Sequence, residues 1–332
     1  MVGSRPVAFG VALALAVLTA CGSAPEAGPD DPDKLNIVTT VSPITSIVSN
    51  VAGDAAEVRG LVPEGVNSHT FEPPPSAAAT LARADVVFVN GLKLEDPTRE
   101  LAAANLKQGA EVVELGDLTI TPDQYIYDFS FPREGGKPNP HLWTNPPHAK
   151  DYARIVRDTL VRRDQANAAA YESNYQRFAA KVDELDAAMK AASATVPRKE
   201  LLTYHDAYAY FARHYGWRVI GAVQVSDFQE PTPREVAALI RQVRQVGVPA
   251  IFGSEVFPSP VLAQIGAEAT VRYVDTLRDD DLPGRPGDPD HSWLGLMKFN
   301  FVTMVESLGG DASALHAVKV VDAAPDRAVY PQ

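Results

Sequence analysis

From Leu35 onward the chain alternates short runs rich in β-branched residues with stretches of helical period. The runs fall at residues 35–41, 56–62, 85–90 and 112–115 in the first half, and at 201–204, 218–223, 250–254 and 271–274 in the second. Strands separated by helix-length segments predict parallel sheets with covering helices, so the expected fold is α/β with two parallel-sheet lobes. Between them Tyr171, Tyr175, Phe178, Val182, Leu185 and Met189 recur every three or four residues, which is one apolar face of a helix. Glu172, Arg177, Lys181, Glu184 and Lys190 fill the other face, and residues 165–194 contain no Gly or Pro. The pattern predicts a long rigid helix joining a lobe at 34–164 to a second at 195–332; the plainer alternative is a surface helix of one lobe. Ser42-Pro43 and Thr232-Pro233 read as helix starts, a capping hydroxyl followed by proline in the first turn.

The first residues belong to neither lobe. Arg5 precedes an apolar run from Val7 to Leu18 that is short for a membrane span and has the form of a signal peptide, residues 1–20. Leu18-Thr19-Ala20-Cys21 resembles the lipobox of bacterial lipoproteins, in which cleavage precedes a cysteine that then carries lipid; a short apolar helix with a buried cysteine is the alternative. Residues 21–33, rich in Gly, Ala, Pro and Asp, read as a flexible tether. Cys21 is the only cysteine, so disulfides and thiolate metal sites are excluded from the folded part, and any metal must use nitrogen and oxygen. The expected location is the extracytoplasmic face of the cell membrane, anchored by lipid. The net charge of -12 argues against nucleic acid as a partner, and a monomer is expected.

Three histidines stand in separately recognisable settings: Asn67-Ser68-His69-Thr70-Phe71-Glu72-Pro73, Asn139-Pro140-His141-Leu142-Trp143 and Thr203-Tyr204-His205-Asp206-Ala207. A neutral imidazole is the commonest protein ligand for a transition metal, and ligands drawn from both halves of the chain suggest an ion at their seam. His69 and His141 are bracketed by prolines that restrict their loops. His205 follows a strand, where ligands of α/β sheets gather. A carboxylate from the second lobe should complete the set. Asp275, directly after the run ending at Val274, is preferred, with Glu255 as its competitor; Asp279, Asp280 and Asp281 read as a solvated charge run. His148 and His214 read as surface residues, His316 lies near the tail, and His291 has only a weak claim to the cleft.

These motifs in this order resemble the metal-binding family of solute-binding lipoproteins of ABC transporters, the zinc and manganese receptors also called adhesins. Ala84-Asp85-Val86-Val87-Phe88-Val89-Asn90-Gly91-Leu92, His205-Asp206-Ala207-Tyr208 and Val274-Asp275-Thr276-Leu277 add to the likeness, which runs to about Leu308. The resemblance implies two lobes joined by one long helix, metal in the cleft held by His69, His141, His205 and Asp275, and delivery to a permease driven by a separate ATPase. Two departures stand out: Asp96-Pro97 occupies a place where the family often has an aromatic residue, and residues 111–140 lack the histidine-rich loop of many zinc receptors.

Three imidazoles and one carboxylate suit tetrahedral zinc, whereas manganese prefers more oxygen. Receptors for manganese in the family usually have a carboxylate where this chain has His205, so zinc is expected, with manganese or iron as the alternative. A zinc hydrolase would need an open coordination position and a general base, and the chain has neither a His-Glu-x-x-His nor a Gly-x-Ser-x-Gly motif. A surface adhesin with structural zinc is a third possibility. It would unfold when the metal is removed, whereas a carrier would not.

Overall fold

All eight expected strands form. In the computed structural model, which describes residue 3, residue 31 and residues 33–224, 231–254 and 259–332, they are β1 (Leu35–Thr39), β2 (Ala56–Gly60), β3 (Val86–Val89), β4 (Glu111–Glu114), β5 (Glu200–Thr203), β6 (Arg218–Ala222), β7 (Ala250–Ser254) and β8 (Arg272–Leu277). The first four make a parallel sheet in the order β2-β1-β3-β4. The others pair as β5-β6 and β7-β8, both parallel, with β5 lying beside β7. The second half thus repeats the spatial order of the first. In each half the chain steps to one side of its first strand and then to the other, which opens a crevice at the carboxyl ends of the central strands. Apart from Gly3, the residues read as a signal peptide, together with Cys21 and almost all of the expected tether, lie outside the described residues.

The helices are α1 (Ser42–Ala52), α2 (Pro75–Arg83), α3 (Asp96–Asn105), α4 (Leu115–Thr119), α5 (Pro146–Arg163), α6 (Ala168–Thr195), α7 (Ala209–Tyr215), α8 (Pro233–Val246), α9 (Pro260–Ala269), α10 (Trp293–Ser307) and α11 (Ser313–Ala317). Thr232 caps α8 through a reciprocal box with Glu235, as its sequence predicts. Ser42 does not cap α1. It is the first helical residue, the preceding Val41 takes the capping position without a side-chain bond, and Pro43 supplies the preset backbone angle.

α6 runs for 28 residues. Tyr171, Phe178, Val182, Leu185 and Met189 are all buried along it, each contributing about 1.5–3 kcal/mol of apolar transfer energy. Tyr175 is half-buried and carries the Arg157 guanidinium 4.6 Å from its ring centre. The helix packs on α1 and α5 from the first half and on α10 and α11 from the second, and Phe178 meets Trp293 with ring centres 5.7 Å apart. It therefore serves both sides of the crevice.

After β3 the backbone makes a single left-handed turn, with φ of 79° at Gly91, 51° at Leu92 and 64° at Lys93. Glycine is required at the first position, because a Cβ there would lie 2.2 Å from Asp117 Oδ2. Leu92 and Lys93 each cost about 1–2 kcal/mol in this conformation. The buried Glu95 carboxylate offsets that cost by accepting the Asn90 and Gly91 amides and the Thr40 hydroxyl.

Candidate metal centre

Two of the three histidines are set by the same local device. Asn67 Oδ1 accepts the His69 amide at 2.9 Å, and Asn139 Oδ1 accepts the His141 amide at 3.0 Å, each an asparagine folding back on the backbone two residues later. At His141 the device goes further, since the same Oδ1 lies 3.0 Å from His141 Nδ1. Asn139 Nδ2 donates to Asp128 Oδ2 and to the Asp206 carbonyl. Its oxygen is thereby fixed as the acceptor, His141 Nδ1 carries the proton, and Nε2 is left with a lone pair. His205 stands two residues beyond β5, where the Thr203 hydroxyl donates to the His205 carbonyl at 2.8 Å.

The three rings converge. His69 Nε2 is 3.1 Å and His205 Nε2 3.2 Å from His141 Nε2. Zinc–nitrogen bonds of about 2.0–2.1 Å at tetrahedral angles would hold nitrogens about 3.3 Å apart. The observed spacings are therefore those of a nearly formed metal face. His141 and His205 are buried and His69 is half-buried, so His69 forms the solvent side of the group.

Asp275 does not join them. β8 continues three residues past Val274 to Leu277, and Asp275 lies exposed within the strand. The cause is an irregularity in pairing: Phe252 faces Val274 while Ser254 faces Leu277, so β8 carries an extra residue and both Asp275 and Thr276 face outward. Glu255 lies outside the described residues. The carboxylates that reach the histidines are Asp279 and Asp280, which are 3% and 4% exposed rather than solvated as the charge run suggested. Asp279 Oδ2 is 3.0 Å from His205 Nε2. Asp279 and Asp280 form a ligand-competent group with His141, all donor atoms lying within 4.8 Å of one another. Asp280 Oδ2 accepts the Ser68 amide at 3.1 Å, while its Oδ1 is buried without a hydrogen-bond partner among the described residues. Asp281 accepts the Gly65 amide through both oxygens, at 3.0 and 2.9 Å. This acidic run therefore grips the loop that carries His69.

Charge in the site follows from burial and neighbours. Burial, and then the other imidazoles, hold His69 and His141 well below the ordinary histidine value, so both are neutral near pH 7. Burial also acts to lower His205, but Asp279, Asp280 and Asp206 outweigh it and raise its affinity for a proton. Burial, with Asp279 beside it, pushes Asp280 up to about 7. The remaining histidines lie elsewhere: His148 is half-buried on α5 beside Asn145 and, through burial, pushed down to about 4; His214 pairs with Asp186, and His316 with Glu306. His291 is buried against Tyr330, with Nδ1 near the Pro283 carbonyl and Nε2 facing Glu64.

Two parallel-sheet lobes with imidazoles and carboxylates buried at their seam define a solute-binding receptor built for a divalent metal ion. The family described as zinc-uptake complex component A, periplasmic, matches residues 37–307, and the chain belongs to that family. Among its relatives, the metal ABC transporter substrate-binding lipoprotein FimA of Streptococcus parasanguinis is 26% identical over 88% of this chain and 94% of its own. The manganese ABC transporter substrate-binding lipoprotein PsaA of Streptococcus pneumoniae is 28% identical over 83% and 89%, and the iron-binding protein YfeA of Yersinia pestis 28% over 92% and 96%. The solved periplasmic zinc-binding protein TroA of Treponema pallidum is 25% identical and superposes with a TM-score of 0.74 over 83% of this chain and 99% of that one. The family is one of substrate-binding receptors of metal ABC transporters, so the protein is a receptor and not an enzyme. Its partners are a metal ion and the permease and ATPase of such a transporter.

Proposed function

We propose that the protein captures zinc through His69, His141, His205 and a carboxylate of the Asp279–Asp280 pair, and delivers it to its permease for import. The observation that carries this reading is the 3.1 and 3.2 Å spacing of three imidazole nitrogens, with a carboxylate oxygen 3.0 Å from the third. Nitrogen-rich tetrahedral donor sets suit zinc, and manganese takes more oxygen. One feature favours manganese or iron as a second reading: Asp280 Oδ1, buried and without a hydrogen-bond partner among the described residues, could supply a fifth donor. Relatives named for manganese and for iron are consistent with either metal reaching such a site.

In this reading residues 34–164 and 195–332 act as the two lobes and residues 165–194 as their strut. The protein works as a monomer on the extracytoplasmic face of the membrane, held by lipid on Cys21, in keeping with relatives named as lipoproteins. Metal analysis of protein purified without added metal, followed by competition between zinc and manganese, tests the assignment. Zinc should displace manganese, and the opposite order would overturn the choice of metal. Chelator should leave a folded protein; unfolding on metal removal would favour a structural ion instead.

A further inference from the structure

Beside His69, the solvent side of the histidine group, lies a cavity of about 450 Å³. Its walls include the apolar Leu94, Phe131, Pro138 and Pro140, and its charged lining residues are Lys93, Lys137 and Glu134. The two ammonium groups come from separate segments. Lys93 sits on the left-handed turn after β3 and donates to the Gly136 carbonyl at 3.0 Å, which uses one of its three hydrogens and ties that turn to the loop bearing Lys137. Lys137 is exposed and takes part in no hydrogen bond or ion pair among the described residues.

Two cations at the mouth of a cation site are an odd choice in a chain of net charge -12. Lys93 and Lys137 line the same cavity as His69. An approaching bare dication meets repulsion from both ammonium groups, whereas a metal already neutralised by carboxylates does not. The cavity is far larger than a single ion requires, and its proline and aromatic walls suit a ligand with a carbon skeleton better than an inorganic anion.

We propose that this cavity binds a small polycarboxylate anion through Lys137 and Lys93, so that the receptor accepts its metal as a carboxylate complex as well as the bare ion. The proposal rests on the reading of the histidine group as the metal site. The test is equilibrium dialysis of labelled citrate against zinc-loaded protein, with zinc content measured in the same samples, for wild type, Lys137→Gln and Lys137→Arg. Wild type should retain citrate together with zinc. Lys137→Gln should weaken retention about tenfold, the worth of one charge-assisted contact, Lys137→Arg should restore it, and zinc affinity in chelator-free buffer should be no lower in either variant than in wild type. Citrate that strips zinc without being retained, or that is retained equally by Lys137→Gln, overturns the proposal. Zinc that fails to load in chelator-free buffer overturns the reading of the metal site, and the proposal with it.

Discussion

Replacing Asn139 with Ala removes one oxygen that serves His141 twice. That oxygen accepts both the His141 amide and its ring Nδ1–H at 3.0 Å, and both residues are fully buried. Truncation leaves a buried ring N–H without an acceptor, at a cost of about 1–3 kcal/mol. It also frees the ring to place its proton on Nε2, the atom that faces His69 and His205. The expected loss of zinc affinity is about 10–100-fold, the usual effect of removing a partner that orients a ligating histidine. Because Asn139 also donates to Asp128 and Asp206, the metal-free protein should lose stability as well, so affinity and melting temperature are both measured. Asn67→Ala is the control. Among the described residues the Asn67 side chain bonds only the backbone of His69, so that variant should lose much less, within about 1 kcal/mol. The assay is zinc competition with a chromophoric chelator at a pH of about 7.5, where the unperturbed imidazole is neutral. If Asn139→Ala melts earlier yet binds zinc within about threefold of wild type, a difference of about 0.65 kcal/mol, the argument from ring orientation is wrong.

Asp275→Ala should leave zinc affinity unchanged, because Asp275 is exposed on β8, whereas Asp279→Ala should lose more than the roughly 100-fold ceiling for an orienting partner; equal affinities for the two variants would refute the placement of the carboxylate. Metal binding should weaken as pH falls below about 7. His69 and His141 are already neutral there, while His205, raised by its aspartates, and Asp280, at about 7, hold protons that the ion must displace; calorimetry in buffers of different ionisation enthalpy should show proton release, and none would contradict this. Stability of the metal-free protein should follow the opposite sign near neutrality. Glu95, Asp206 and Asp280 are each pushed up to about 7, so the native state holds protons that the unfolded chain has already released, and that gain is lost as pH rises from the ordinary carboxylate range through about 7; the depressed His69 and His141 oppose the trend only below about 6.5. Melting temperature of chelated protein should therefore fall between about pH 6.5 and 7.5, and a rise over that interval would refute the assignment.

The strands, the long helix and the three histidines were legible because each depends on a pattern or a residue type within a short window. The proposed carboxylate was not. Its position turns on one extra residue in β8, which lets the strand run past Val274 and turns Asp275 outward. The run at 279–281 looks like a solvated stretch because nothing local shows that amides from Gly65 and Ser68, more than two hundred residues earlier, will cover it. Asn139 did leave a trace. An asparagine two residues before both His69 and His141 is the signature of a side chain bonding the backbone ahead of it, although the second bond, to the ring of His141, depends on how the loop folds.

The grip of Asp280 and Asp281 on the first-half backbone is made of hydrogen bonds within the protein. Those contacts join residues 65 and 68 to residues 280 and 281, so the two jaws are held in register by the chain's own amides. A metal captured between them, as proposed, would add its bonds to a junction that the protein already spans.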